Sequence, residues 1–167
     1  MHLSAIPGRV APPALIMPRD VNVLLEQARI LWRAAGDGTL RPLLKGKNLG
    51  LLCAVDDSLE AILFRRAATE LGARVAHIRP SLTEASPEQE VLHTGRLLGR
   101  LYDAVECHGV PAPLVARLAD AAGVPIYDGL ATARHPSAAL AEQLGTGADP
   151  MESRRFLVQA VLLHTIA

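Results

Sequence analysis

This 167-residue chain is predicted to be an α/β protein, a doubly wound and mainly four-stranded parallel sheet with helices on both faces. Three observations lead there. Short apolar runs alternate with segments of helical period four times along the chain. The connections between them are short, as βαβ units require. Half of the residues are hydrophobic, chiefly Leu, Ala and Val, and only 3% are aromatic, which suits helices packed on a sheet.

Taken in order, the proline-rich residues 1–19 are expected to form an irregular N-terminal arm. Asp20 then caps a helix whose apolar residues Val21, Leu24, Leu25, Ala28 and Leu31 fall at helical spacing, with Gly36 as its stop. The run "NLGLLCA" reads as a buried strand. A helix over Leu59–Leu71 ends at Gly72, and "RVAHI" is the second strand. Ser86-Pro87-Glu88-Gln89 has the pattern of a capping box, with Pro at the first helical position, and opens a helix to about Leu101. "YDAVEC" is the third strand. A helix over Leu114–Ala122 stops at Gly123, and "VPIYD" is the fourth strand. His135–Leu144 is helical again. Asp149-Pro150-Met151-Glu152 repeats the capping-box pattern and opens a last helix to about Thr165. Residues 20–167 therefore read as a single domain, with Gly145–Asp149, "GTGAD", as a linker-like piece.

Seventeen basic residues balance seventeen acidic ones, so no overall basic field exists to hold nucleic acid or an anionic membrane. No apolar run is long enough to span a bilayer, and the first twenty residues lack the basic-then-apolar pattern of a signal peptide. The two cysteines, Cys53 and Cys107, do not make a disulfide scaffold and imply a reducing compartment. A soluble, cytoplasmic location is the resulting expectation.

Ligands of open parallel sheets sit beyond the carboxyl ends of the strands, which singles out residues 54–58, 80–86, 107–111 and 128–136. The first of these turns is acidic, with Asp56, Asp57, Ser58 and Glu60. Asp57 as N-cap with Glu60 completing a capping box is the structural reading. A cation or Mg²⁺ on Asp56 and Asp57 is the functional one, for which two adjacent carboxylates are a weak signal. Either reading disfavours phosphate at a helix N-terminus that would otherwise attract it. Cys53, Cys107 and His108 come together if their strands are neighbours, but no CxxC or HxxxH spacing supports a metal, and buried Cys usually behaves as a small hydrophobe. No metal is assigned. Arg134 and His135 precede Pro136 at a helix start and face the expected crevice. A lone His there is more often structural than catalytic. His77, His93 and His164 sit in strand or helix patterns and are expected to pack or meet solvent. There is no GxGxxG, Walker or GxSxG motif, and no cofactor is expected.

The stretches "LLKGKNLGLL", "FRRAATELGARVAHI", "YDAVECHG", "GVPIYDGL" and "RHPSAALAEQL", with their spacing, resemble the carbamoyl-phosphate domain of ornithine carbamoyltransferases. The resemblance runs from about Val21 to Leu144 almost without gaps. It implies a family of two-domain enzymes in which one domain grips carbamoyl phosphate, the second binds the amino acid, and the final helix returns to the first. Here "LAEQL" passes through "GTGADP" directly into "MESRRFLVQAVLLHTIA", which is similar to that final helix. The resemblance thus implies a C-terminal helix packing back on the domain, with residues 145–149 standing where the second domain is missing.

The family's site residues are mostly replaced. Its phosphate-gripping signature Ser-x-Arg-Thr-Arg falls on Asp57, Ser58, Leu59, Glu60 and Ala61. Its Arg-Thr pair after the third strand falls on His108-Gly109, and of His-Pro-x-Gln only His135 and Pro136 remain, with Ala138 for Gln. The loop that reaches a neighbouring subunit carries Glu84 and Glu90 where the family has Gln and Ser. Losing two arginines removes several charge-assisted bonds, each contributing about 1.5–3 kcal/mol. Carbamoyl transfer by this chain alone is not expected. The expected function is a non-catalytic, oligomeric binding or regulatory module related to ornithine and amino-acid metabolism. Its first-guess assembly is a homotrimer, and its other partners are a full-length carbamoyltransferase or a small molecule. One alternative is a carbamoyltransferase half that needs a separate amino-acid-binding chain. Another is a rebuilt small-molecule enzyme using His108, His135 and the acids Asp56, Asp57 and Glu60. A folded remnant without a ligand is the third.

Overall fold

The computed structural model describes residues 18–147 and 149–166. The elements are α1 (Pro18–Gly36), β1 (Asn48–Leu52), α2 (Leu59–Glu70), β2 (Arg74–Ile78), α3 (Glu88–Leu101), β3 (Ala104–Cys107), α4 (Ala112–Ala122), β4 (Ile126–Asp128), a 3-10 helix (Pro136–Leu144) and α5 (Pro150–Ile166). The strands form one all-parallel sheet in the order β2-β1-β3-β4. This is the predicted doubly wound α/β architecture. The strand order reverses between β1 and β3, where Leu52 pairs with Cys107. β3 is buried along its whole length, whereas the edge strand β2 is only half covered.

Two hydrophobic cores lie on opposite faces of the sheet. One gathers Leu24, Leu31, Phe64, Phe156 and Leu162 from α1, α2 and α5, with Leu71 at the C-cap of α2. The other gathers Val91, Leu98, Leu114 and Leu118 from α3 and α4. Helices α3 and α4 approach so closely that a Cβ on Gly99 would overlap the Ala122 carbonyl, and one on Gly95 would lie 2.7 Å from Ala121 Cβ. α5 is buried on nearly all sides, as an apolar helix must be. Gln159 on α5 donates to Ala67 O at 3.1 Å and to Glu70 at 3.0 Å, so the C-terminal helix does pack back on the domain. Arg155, 6% exposed, binds Glu152 at 2.7 Å and lies 3.2 Å from Glu70.

Element ends differ from expectation for local reasons. α1 begins at Pro18, so Asp20 stands in its first turn and is not the cap, because proline suits a first helical turn. The irregular arm expected for residues 1–19 otherwise falls outside the described residues. The third strand starts only at Ala104, because the Tyr102 N–H still bonds Leu98 O and the Asp103 carboxylate accepts the Asn48 N–H at 2.8 Å. The fourth starts at Ile126, after Pro125, which has no N–H to give. Ser86 does not cap α3: its Oγ accepts the Thr83 N–H at 2.8 Å inside the loop, and Pro87 holds the cap position. Asp149 does cap α5, accepting the Met151 N–H at 2.9 Å, but Glu152 turns to Arg155 and Arg66 and leaves the box half made. The helix expected over His135–Leu144 is a 3-10 helix over Pro136–Leu144, with His135 as its N-cap.

Candidate functional site

The carboxyl edge of the sheet carries three turns of chemical interest: 53–58 after β1, 107–111 after β3, and 128–136 after β4. The last two enclose a cavity of about 490 Å³. Cys107 and Asp128, paired across β3 and β4, form its floor. Gly109, the uncapped start of α4, Thr132, Arg134 and His135 form its walls.

His135 is held by its own turn. Its Nδ1 accepts the Ser137 N–H at 3.2 Å and lies 2.7 Å from Ser137 Oγ. With Nδ1 an acceptor, the ring proton resides on Nε2. Burial, then the nearby Arg154, pushes the His135 pKa down to about 4. The imidazole is therefore a neutral donor at physiological pH. Arg154 reaches from α5 and donates to Ala131 O at 2.8 Å and to Thr132 O at 2.6 Å, tying the last helix to the turn after β4. The Cys107 thiol is pushed well up by burial and by Glu106 and Asp128, so it stays protonated.

Glu106, which the sequence reading passed over, anchors the same turn from below. It is 0% exposed, and its two carboxylate oxygens accept the N–H groups of Leu130 at 2.9 Å and Ala131 at 2.8 Å. A Glu inside the otherwise apolar "AVEC" was the available signal: buried carboxylates need partners. His108 lies beside it, 11% exposed, with Nε2 3.1 Å from Glu106 Oε2 at ion-pair range but without hydrogen-bond alignment. His108 does not line the cavity.

The acidic turn is a separate place. None of Asp56, Asp57, Ser58 and Glu60 lines the cavity. Ser58, not Asp57, is the N-cap of α2, its Oγ accepting the Ala61 N–H at 3.1 Å. Asp56 lies 3.7 Å from Arg65 and 3.6 Å from His77, whose other nitrogen bonds Cys53 O at 2.7 Å. Glu60 acts on Arg154 through its charge. Cys53 and Cys107 sit in the two cores on opposite faces, so the strands are neighbours while their thiols diverge. The structure thus brings Arg134 and His135 together at one cavity and leaves His108 and the acids outside it.

No protein-family model matches the chain. Sequence comparison finds an ornithine carbamoyltransferase of Haemophilus influenzae 37% identical over 126 residues, 75% of this chain and 38% of that protein. A catabolic ornithine carbamoyltransferase of Chromobacterium violaceum is 38% identical over 128 residues, again 38% of its length. Among solved structures, the ornithine carbamoyltransferase of Pyrococcus furiosus superposes with a TM-score of 0.65 at 26% identity, covering 75% of this chain and 40% of that one. The chain spans about two fifths of the length of these relatives.

Proposed function

Over the matched 126 residues this chain belongs to the ornithine carbamoyltransferase family, and from that premise we propose that it is a non-catalytic binding module, in which the anion grip of the carbamoyl-phosphate domain has been dismantled. One observation carries this reading. At the turn where the family's phosphate signature falls, Leu59 is a 71% exposed apolar side chain and Ala61 is wholly buried in the core. Neither position presents a cation. The Ser58 hydroxyl is spent on the helix cap, and Asp56 and Asp57 stand exposed beside it. Of the arginines nearby, Arg65 is turned onto Asp56, and Arg154, whose charge Glu60 acts on, donates to Ala131 O and Thr132 O. An incoming dianion meets carboxylates where catalysis would need positive charge.

Residues 145–149 take the place of the second domain in this reading, so the groups that would orient an amino acid against carbamoyl phosphate are missing as well. A homo-oligomer, with a trimer as first expectation, agrees with the exposed apolar residues Val55, Leu59 and Ile62 beside the same turn. A second reading, a carbamoyltransferase half completed by another chain, draws on the retained His135 and Pro136 and on the Nε2 proton that His135 keeps for a carbonyl oxygen.

Calorimetric titration with carbamoyl phosphate, together with an assay for citrulline from carbamoyl phosphate and ornithine, tests the proposal. No saturable heat and no citrulline are expected. Saturable binding displaced by phosphate would overturn the first reading and favour the second. Light scattering of the purified chain reads the assembly.

A further inference from the structure

Asp128 and Arg134 line the same cavity with opposite charges, and neither has a hydrogen-bond or ion-pair partner among the described residues. They do not approach each other within ion-pair range. Asp128 is partly buried and Arg134 is exposed, so a half-covered carboxylate and a solvated guanidinium line one concave site without meeting each other, and a ligand carrying both charges would meet an opposite charge at each. We propose that this cavity binds a small zwitterion, with an ammonium group on Asp128 and a carboxylate on Arg134, as an amino acid carries. The inference rests on the reading of the chain as a binding module and names the ligand class of that module.

The rest of the wall agrees. Arg134 adjoins His135, whose Nδ1 is taken by Ser137 and whose Nε2–H is left as a neutral donor for the same carboxylate. The start of α4 also lines the cavity without a side-chain cap, and its dipole favours negative charge on that side. Thr132 contributes little hydrogen bonding, because its hydroxyl already donates to Gly129 O at 2.7 Å. Asp128, on the floor beside the protonated Cys107 thiol, is the acceptor on the opposite side. A simple anion would be repelled by Asp128, and a simple cation by Arg134. A molecule with both charges satisfies both. The volume of about 490 Å³ falls within the range of small-molecule sites.

The test is calorimetry on the full chain with glycine, β-alanine, 4-aminobutanoate and 5-aminopentanoate, whose charges are spaced at increasing distance. Butylamine and butanoate serve as single-charge controls. One chain length should saturate, and each control should bind about ten- to a hundredfold more weakly. Asp128→Asn should erase the preference over butanoate, and Arg134→Gln the preference over butylamine, with circular dichroism unchanged in both. The proposal is overturned if no member of the series binds below about 10 mM, or if both variants bind the best zwitterion as the unmodified chain does. Carbamoyl phosphate, titrated in parallel, separates the two claims. If it binds, the binding-module reading falls. If neither it nor any zwitterion binds, only the zwitterion assignment falls.

Discussion

Glu106 and His108 meet at the end of β3, with Glu106 Oε2 3.1 Å from His108 Nε2 and the carboxylate sealed from solvent. The contact is the lesser of the two things this carboxylate does. Its oxygens are occupied by the amides of Leu130 and Ala131, so a side chain from β3 builds the turn that follows β4. That turn carries Arg134 and His135. The anion recognition visible in this fold is internal, a protein carboxylate on protein amides.

Glu106→Ala should therefore lower stability by about 3 kcal/mol, because it leaves two buried N–H donors unpaired. Glu106→Gln keeps an acceptor for one of them and should cost about half as much. Urea unfolding of the three proteins checks this. Equal stability of Glu106→Ala and the parent would mean that the turn is held by Arg154 alone.

Ser58→Ala should cost about 1 kcal/mol, the usual value of an N-cap, and Asp57→Ala less than about 0.5 kcal/mol, as for an exposed residue. The pair distinguishes the cap in the structure from the one expected from sequence. Both assignments satisfy the residue pattern "DDSLE". A shift of one residue in where the helix starts decides which hydroxyl or carboxylate meets a free amide, and sequence pattern does not resolve one residue.

Gly99→Ala should destabilise by about 3 kcal/mol or more, since its methyl would fall on the Ala122 carbonyl and helices cannot part without opening the core. Thermal unfolding measures it. A Gly99→Ala protein as stable as the parent would show that α3 and α4 are free to separate.

The alternation of apolar runs and helical periods made the sheet and its helices legible, down to "RVAHI" as β2 without error at either end. The candidate site was legible only where a residue's position along the chain fixed its place in space. Arg134 and His135 precede a helix at the carboxyl edge, and they do reach the cavity. His108 shares that edge, yet it turns to a carboxylate two residues earlier in the chain. In sequence Asp128 is the end of a strand, and nothing there shows that it shares a cavity with Arg134. The two thiols illustrate the same limit, since neighbouring strands bring backbones together while alternation decides the face.

His135 should make the fold acid-sensitive. Its folded pKa of about 4 lies below the ordinary value of 6.5. Below pH 6.5 the unfolded chain takes up a proton that the native ring refuses, so stability is full above 6.5 and is lost as pH falls toward 4. The loss from this one group by pH 4 should be about 3 kcal/mol. His135→Asn retains a capping side chain and should remove that part of the slope. Urea unfolding at pH 7, 5.5 and 4.5 compares the two. Parallel curves would assign the acid sensitivity to other groups.

Arg154→Met tests how far α5 governs this ring. Burial is the larger cause of the low His135 pKa and the Arg154 charge the smaller. Removing the charge should raise the His135 midpoint while leaving it below 6.5, because the ring stays buried. The native pKa then lies closer to the unfolded one, and the acid-induced loss between pH 6.5 and 4 shrinks. Stability at pH 7 should move the other way. Ala131 O and Thr132 O lose the guanidinium that now binds both, at a cost of about 1–2 kcal/mol for partly exposed bonds. The variant should thus be weaker than the parent at neutral pH yet decline less steeply in acid. Proton NMR titration of the His135 ring follows the midpoint, and urea unfolding at two pH values follows the slope. A midpoint that does not move would show that Arg154 holds the turn mechanically without acting on the ring's charge, and the helix would then be coupled to the cavity by packing alone.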